Sequence, residues 1–177
     1  GIALATVILP ALSKSHAEEE MKTFSASMDW GLRWVLIIGL PAAVGLFLLA
    51  EPVLSTLFQY EQFSEDDVLM AAQSLKAYSL GLLAFMLVKV LVPGFTSRQD
   101  MKTPVRFGIY AMVTNMTLNV ILVFQLAHAG LALATSLAAV LNSVLLLRKL
   151  LADEVFVPRP GWLTFVGRVV VANLVMG

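Results

Sequence analysis

The chain has 177 residues, with 12 Lys and Arg against 12 Asp and Glu, no Cys, 59% hydrophobic residues and only 14% charged ones. A soluble domain carries roughly 25% charged residues, so this chain cannot coat a globular surface with polar groups, and much of its surface faces lipid. The same balance excludes a long disordered tail. It also speaks against a nucleic-acid module, which would need a basic block, and the lack of Cys rules out a disulfide framework or a thiolate metal site.

A bilayer core of about 30 Å needs about 20 mostly apolar residues per helix, so the gaps between charges define the elements. Six apolar stretches result, predicted as helices over about 1–13, 30–50, 67–97, 104–126, 129–149 and 161–177. The fold class expected is all-α: a single polytopic transmembrane bundle of about six segments, the first and last truncated. The first holds only the apolar run Gly1 to Leu12, and it lacks the Met and basic n-region of a signal peptide. The last stops in mid-span at Val175-Met176-Gly177, so the chain reads as a piece of a larger membrane protein.

Along the chain, Ser15 with Glu18 has capping-box spacing, and Ala17, Met21, Phe24 and Met28 share one helical stripe. A short amphipathic helix on the membrane surface is expected there. Pro41, between Gly39 and Gly45, should kink the second helix. Ser64 with Asp67 forms a capping box for the third, and Thr103-Pro104 supplies an N-cap and an N1 proline for the fourth. No charge falls between Arg106 and Arg148, which leaves room for two crossings joined by a tight turn near Gln125 to Gly130.

Basic residues in the successive connections number three, one, three, zero and three. They are Lys14, Lys22 and Arg33; Lys76; Arg98, Lys102 and Arg106; none; and Arg148, Lys149 and Arg159. The alternation places the first, third and fifth connections in the cytoplasm. Trp30, Trp34 and Trp162 then fall at that interface. The acids Glu51, Glu61, Glu65, Asp66 and Asp67 collect in the opposite, second connection.

Ionisable groups at membrane depth cost about 2.5–3.5 kcal/mol on insertion scales and need a reason. Lys89 lies nine residues before Arg98, about 13 Å of helix rise inside the cytoplasmic edge. It is either a snorkelling interfacial lysine or a cavity-facing cation for an anionic substrate. Arg168 has the same two readings. Asn115 and Asn119 are spaced i, i+4 and share a helix face. With the turn centred near residue 127, Asn119 and Thr135 stand at one depth. These two amides, the Thr135 hydroxyl and the Leu131 carbonyl could hold a small hard cation such as Na+, or Asn and Thr could simply join helices by hydrogen bonds. Asn142 is assigned to packing. The chain has no P-loop and no H-E-x-x-H, and His16 and His128 sit in loops without a ligand partner, so an enzyme is not expected.

Several runs resemble the MurJ (MviN) family of lipid II flippases. They are Leu9-Pro10-Ala11-Leu12-Ser13-Lys14-Ser15, Met28-Asp29-Trp30-Gly31-Leu32-Arg33, Leu57-Phe58-Gln59-Tyr60, and Val88-Lys89-Val90-Leu91-Val92-Pro93-Gly94-Phe95. Ser97-Arg98-Gln99-Asp100-Met101-Lys102-Thr103-Pro104-Val105 and His128-Ala129-Gly130-Leu131 continue the match in order. The resemblance implies helices eight to thirteen of a fourteen-helix, two-lobe transporter in the bacterial inner membrane. It implies export of lipid II, an undecaprenyl-pyrophosphate-linked peptidoglycan precursor, by alternating access, coupled to membrane potential or an ion gradient. The partners implied are lipid II, membrane lipids and an N-terminal lobe, with no nucleic acid. The family's cavity arginines fall outside this chain. A sodium site of some members maps onto Asn115, Asn119, Leu131 and Thr135, with Asn119 standing where an acid can occur. The alternatives are a multidrug or polysaccharide-lipid exporter of the same superfamily and a membrane scaffold without a transport cycle.

Overall fold

The computed structural model describes residues 2–58, 65–158 and 160–176. Among these the elements are helices: α1 (Ile2–Phe58), α2 (Glu65–Leu91), α3 (Pro93–Thr96), α4 (Lys102–Ala152) and α5 (Trp162–Met176). Four stretches are long and apolar enough to cross a bilayer: Lys22–Leu57, Asp66–Thr96, Lys102–Phe124 and His128–Ala152.

The helices differ from the expected segments where local breakers are missing. The first two segments and the surface helix between them form one continuous helix, α1. No Gly or Pro occurs from Ala11 to Trp30, and Ala17-Glu18-Glu19-Glu20-Met21-Lys22 is built of strong helix formers, so nothing ends the helix at Ser15. The Ser15 and Glu18 side chains lie outside the described residues, as does Ser64.

The third segment is interrupted as its proline dictates. Pro93 has no N–H to donate, and the helix breaks between α2 and α3 at Val92. The backbone bonds Val92 N to Val88 O at 3.0 Å and Thr96 N to Val92 O at 3.2 Å carry the chain across the break.

Helical turns continue through the whole of α4, yet its axis reverses. A Cβ on Gly130 would meet the Leu122 carbonyl oxygen at 2.5 Å. Eight residues of straight helix would hold these two residues about 12 Å apart. The expected hairpin is therefore present, with Lys102–Phe124 and His128–Ala152 as its arms.

At the start of α4, the cap is not Thr103. The Thr103 backbone N–H donates to Asp100 Oδ1 at 3.1 Å. Met101 is the N-cap residue, and the Asp100 carboxylate just before it reaches an orphan first-turn N–H directly, with Thr103 and Pro104 inside that turn.

α2 is the central element, packed on one side against α1 and on the other against α4. Small residues permit the close approach to α4: Gly81 faces Ser136, whose hydroxyl donates to the Ala77 carbonyl at 2.7 Å. The two α4 arms are used differently. In the most apolar window of His128–Ala152, 44% of residues are buried, against 6% for Lys102–Phe124, so the second arm packs on α2 and the first faces outward. α5 touches only α1 to any extent.

The largest apolar cluster sits at one end of the bundle. Met28 and Leu32 of α1, Leu91, Phe95 of α3, Leu146 and Leu150 of α4, and Val155 and Phe156 form it. These residues border the connections that follow α3 and α4 and lie beside Arg33 of α1, so basic groups of three elements gather at a single end. Two turns close α3 and α4 there in the same way. Gln99 and Glu154 take the left-handed conformation, with φ of 59° and 55°. The bonds Asp100 N to Phe95 O and Val155 N to Leu150 O, both 3.1 Å, complete Schellman motifs. Arg98 and Lys149 converge on Asp153 at 3.7 and 2.6 Å. At the opposite, acidic end, Lys76 pairs with Glu51 at 3.7 Å.

Candidate functional site

A cavity of about 410 Å³ opens between α2 and the α4 hairpin. α2 contributes Phe85, Val88 and Lys89; the first α4 arm contributes Ala111, Met112 and Asn115; the second contributes Thr135, Ala138, Ala139 and Asn142. The Ala residues leave the space open, and a mostly apolar wall with a few convergent polar groups is the usual make-up of a ligand site.

The polar groups in this wall are poorly satisfied from within the chain. Lys89, in the last turn of α2, is exposed and makes no ion pair or hydrogen bond among the described residues. The Asn115 and Asn142 side-chain oxygens are buried without a donor. Thr135 Oγ1 donates to the Leu131 carbonyl at 2.9 Å, which commits the hydroxyl proton and leaves its lone pairs for the cavity. Among the described residues, no carboxylate lines the cavity. The arrangement offers one positive charge, two carboxamides that can both donate and accept, and one hydroxyl acceptor.

The fold brings together Lys89, Asn115 and Thr135 from the expected set. Asn119 is not in this wall, although its side-chain oxygen is also buried without a partner. The hairpin explains the change. Gly130 against Leu122 puts the reversal about one residue earlier than residue 127, which moves the level of Thr135 from Asn119 to Thr117, about 3 Å along the helix towards Asn115. Thr135 consequently shares the cavity with Asn115. The Leu131 carbonyl is engaged by Thr135 rather than freed. Arg168 is exposed on α5 and does not line the cavity. Asn142, assigned to packing from the sequence, belongs to the cavity wall.

A second polar cluster was not foreseen. Asp29 is 2% exposed and accepts hydrogen bonds from Arg33 Nε at 2.8 Å and from the Trp162 indole N–H at 2.6 Å. The Arg33 guanidinium lies 5.4 Å from the Trp162 ring centroid and 5.2 Å from that of Phe165. One turn earlier, the Val157 N–H donates to Ser25 Oγ at 3.0 Å. Ser25, Asp29 and Arg33 are spaced i, i+4, i+8 on α1, so one stripe holds the connection into α5 and the first turn of α5. The Asp29–Arg33 spacing is visible in the sequence; the Trp162 donor, 133 residues away, is not.

Outside the membrane spans, the Asp100 carboxyl is held below its ordinary range. The Thr103 side-chain hydrogen bond is the main cause, followed by the Thr103 backbone N–H.

Comparison with known proteins gives a consistent result. The profile of the family described as "Lipid II flippase MurJ" matches residues 1–177. A probable lipid II flippase MurJ of Vibrio cholerae is 51% identical over 99% of this chain and 34% of its own length. The lipid II flippase MurJ of Burkholderia cenocepacia is 41% identical over the same shares. A probable lipid II flippase MurJ of Haemophilus influenzae is 43% identical over 100% of this chain and 36% of its own. The chain thus spans about a third of the length of the curated relatives it matches. Among solved structures, a lipid II flippase MurJ in an inward closed conformation superposes with a TM-score of 0.76 at 24% identity, over 98% of this chain and 35% of that one; this likeness is one of fold.

Proposed function

Since the chain belongs to the lipid II flippase MurJ family, we propose that it is a segment of a transporter that carries lipid II from the cytoplasmic to the periplasmic leaflet by alternating access. The protein works in the bacterial inner membrane, with the basic end of the bundle in the cytoplasm. The clustering of Arg98, Lys149 and their neighbours at one end supports that orientation, as does the Lys and Arg alternation along the sequence. The segment acts as a transporter wall and not as a catalyst.

The observation that carries the reading is the Lys89 ammonium, unpaired among the described residues, in a cavity whose Asn115 and Asn142 side-chain oxygens also lack donors. An ammonium with three donors beside two carboxamides suits a substrate rich in phosphate and sugar oxygens. A cationic drug would be repelled by Lys89, and a scaffold would gain nothing from leaving these groups unsatisfied. The test uses the full-length parent protein. Expression in a flippase-depleted cell should restore growth, and Lys89→Ala should reduce lipid II translocation in proteoliposomes by about tenfold, the worth of one charge-assisted contact. Growth failure despite good membrane expression, or transport of a cationic drug in place of lipid II, refutes the assignment.

A further inference from the structure

We propose that Arg33 is a binding site for the phosphate group of a membrane lipid, with its guanidinium fixed from behind by Asp29 and flanked by the rings of Trp162 and Phe165. The site lies outside the Lys89 cavity and is independent of what that cavity carries.

The first ground is the unused part of the guanidinium. Within the chain Arg33 donates only through Nε, to Asp29 Oδ2 at 2.8 Å. Neither Nη nitrogen bonds to another described residue, and neither is buried. The Nη edge is the fork that meets two oxygens of one phosphate side by side. Asp29 stays on the Nε side, so the guanidinium stands between its charge and an anion at the free edge. An arginine whose task ended at joining α1 to α5 would gain by turning its fork on the carboxylate as well.

The second ground is preorganisation. Asp29 is 2% exposed and is itself held by the Trp162 indole N–H at 2.6 Å. The guanidinium lies 5.4 and 5.2 Å from the centroids of the Trp162 and Phe165 rings. The cost of ordering this long side chain therefore falls on folding and not on ligand binding, which favours affinity.

The third ground is depth. Trp30 and Trp34, the chain neighbours of Asp29 and Arg33, are exposed, with ring centroids 5.7 Å apart. Indole rings collect at the headgroup level of a bilayer, so Arg33 stands where lipid phosphates are found. Two kinds of lipid carry that group there, an anionic phospholipid and a polyprenyl phosphate.

The test is native mass spectrometry of the purified full-length protein in detergent, titrated separately with dioleoylphosphatidylglycerol and with undecaprenyl phosphate. Arg33→Lys keeps the charge and removes the fork, and it should weaken one lipid-binding step about tenfold. Asp29→Asn keeps Arg33 but loosens it and should weaken the same step by a smaller factor. If the Lys variant does not fold, Phe165→Leu, which removes one flanking ring, should weaken that step about threefold. The loss should persist when Lys89 is also replaced by Ala. Weakening confined to phosphatidylglycerol assigns the site to a phospholipid, weakening confined to undecaprenyl phosphate assigns it to a polyprenyl carrier, and weakening of both assigns it to lipid phosphate in general. Unchanged binding of both lipids by a folded variant, or a loss that vanishes once Lys89 is replaced, overturns the proposal, and neither result bears on whether the parent protein transports lipid II.

Discussion

The attachment of α5 rests on very few groups, and Trp162→Phe isolates one of them. The substitution keeps an aromatic ring against Phe156 and Phe165 but deletes the indole N–H that donates to Asp29 at 2.6 Å. A hydrogen bond to a charged group contributes about 1.5–3 kcal/mol. Part of the Arg33 cation–π contact, about 0.5–1 kcal/mol, is lost when indole becomes phenyl. The expected destabilisation is therefore about 2–3 kcal/mol, large because the carboxylate losing its donor is 2% exposed. Asp29→Asn should cost a similar amount, since it leaves Arg33 beside a neutral acceptor. Because Asp29→Asn weakens to a neutral hydrogen bond the contact that Trp162→Phe removes altogether, the double variant should fall short of additivity by about 1 kcal/mol. Denaturant unfolding of the full-length protein in detergent micelles measures these values. Hydrogen exchange across residues 153–161 supplies a local readout, because the Val157 N–H is protected only while Ser25 accepts from it. Additive effects, or Trp162→Phe costing less than about 0.5 kcal/mol with exchange at Val157 unchanged, would refute the view that this stripe of α1 anchors α5.

Two further outcomes follow from local geometry. Gly130→Ala places a Cβ 2.5 Å from the Leu122 carbonyl oxygen, and because the obstacle is backbone the hairpin must open, with an expected loss of about 2 kcal/mol in the same unfolding assay. The Asp100 carboxyl is held below its ordinary value of 3.8 by Thr103. A depressed folded-state pKa means that the capping contribution is present above the unfolded value and is lost as pH falls through the folded one. Acid titration should accordingly destabilise the unmodified protein more than Asp100→Asn below about pH 4, and identical acid profiles would remove the carboxylate from the cap.

Chemistry that acts along one chain was legible before any coordinates. The charge-free gaps located the apolar crossings, because the bilayer demands about 20 apolar residues in a row whatever surrounds them. The run without charge from Arg106 to Arg148, broken only near Gly130, announced a hairpin, and the alternating Lys and Arg counts grouped the connections that the fold collects at one end. Asn115, Thr135 and Lys89 stood out because a polar group inside an apolar span is conspicuous by itself. What a residue faces was another matter. A shift of about one residue in the hairpin moved the level of Thr135 from Asn119 towards Asn115 on the same helix face, a change of depth that depends on where the turn closes. Asn142 looked like packing until a second helix left its oxygen without a donor. Asp29 carried no role of its own in the sequence, because its Trp162 donor comes from the far end of the chain. Helical class and end-to-end charge were thus legible in the sequence, because each depends on neighbours along the chain, whereas the first two expected segments form one helix. The cavity wall and the α5 anchor were decided by tertiary structure, because each depends on which faces meet.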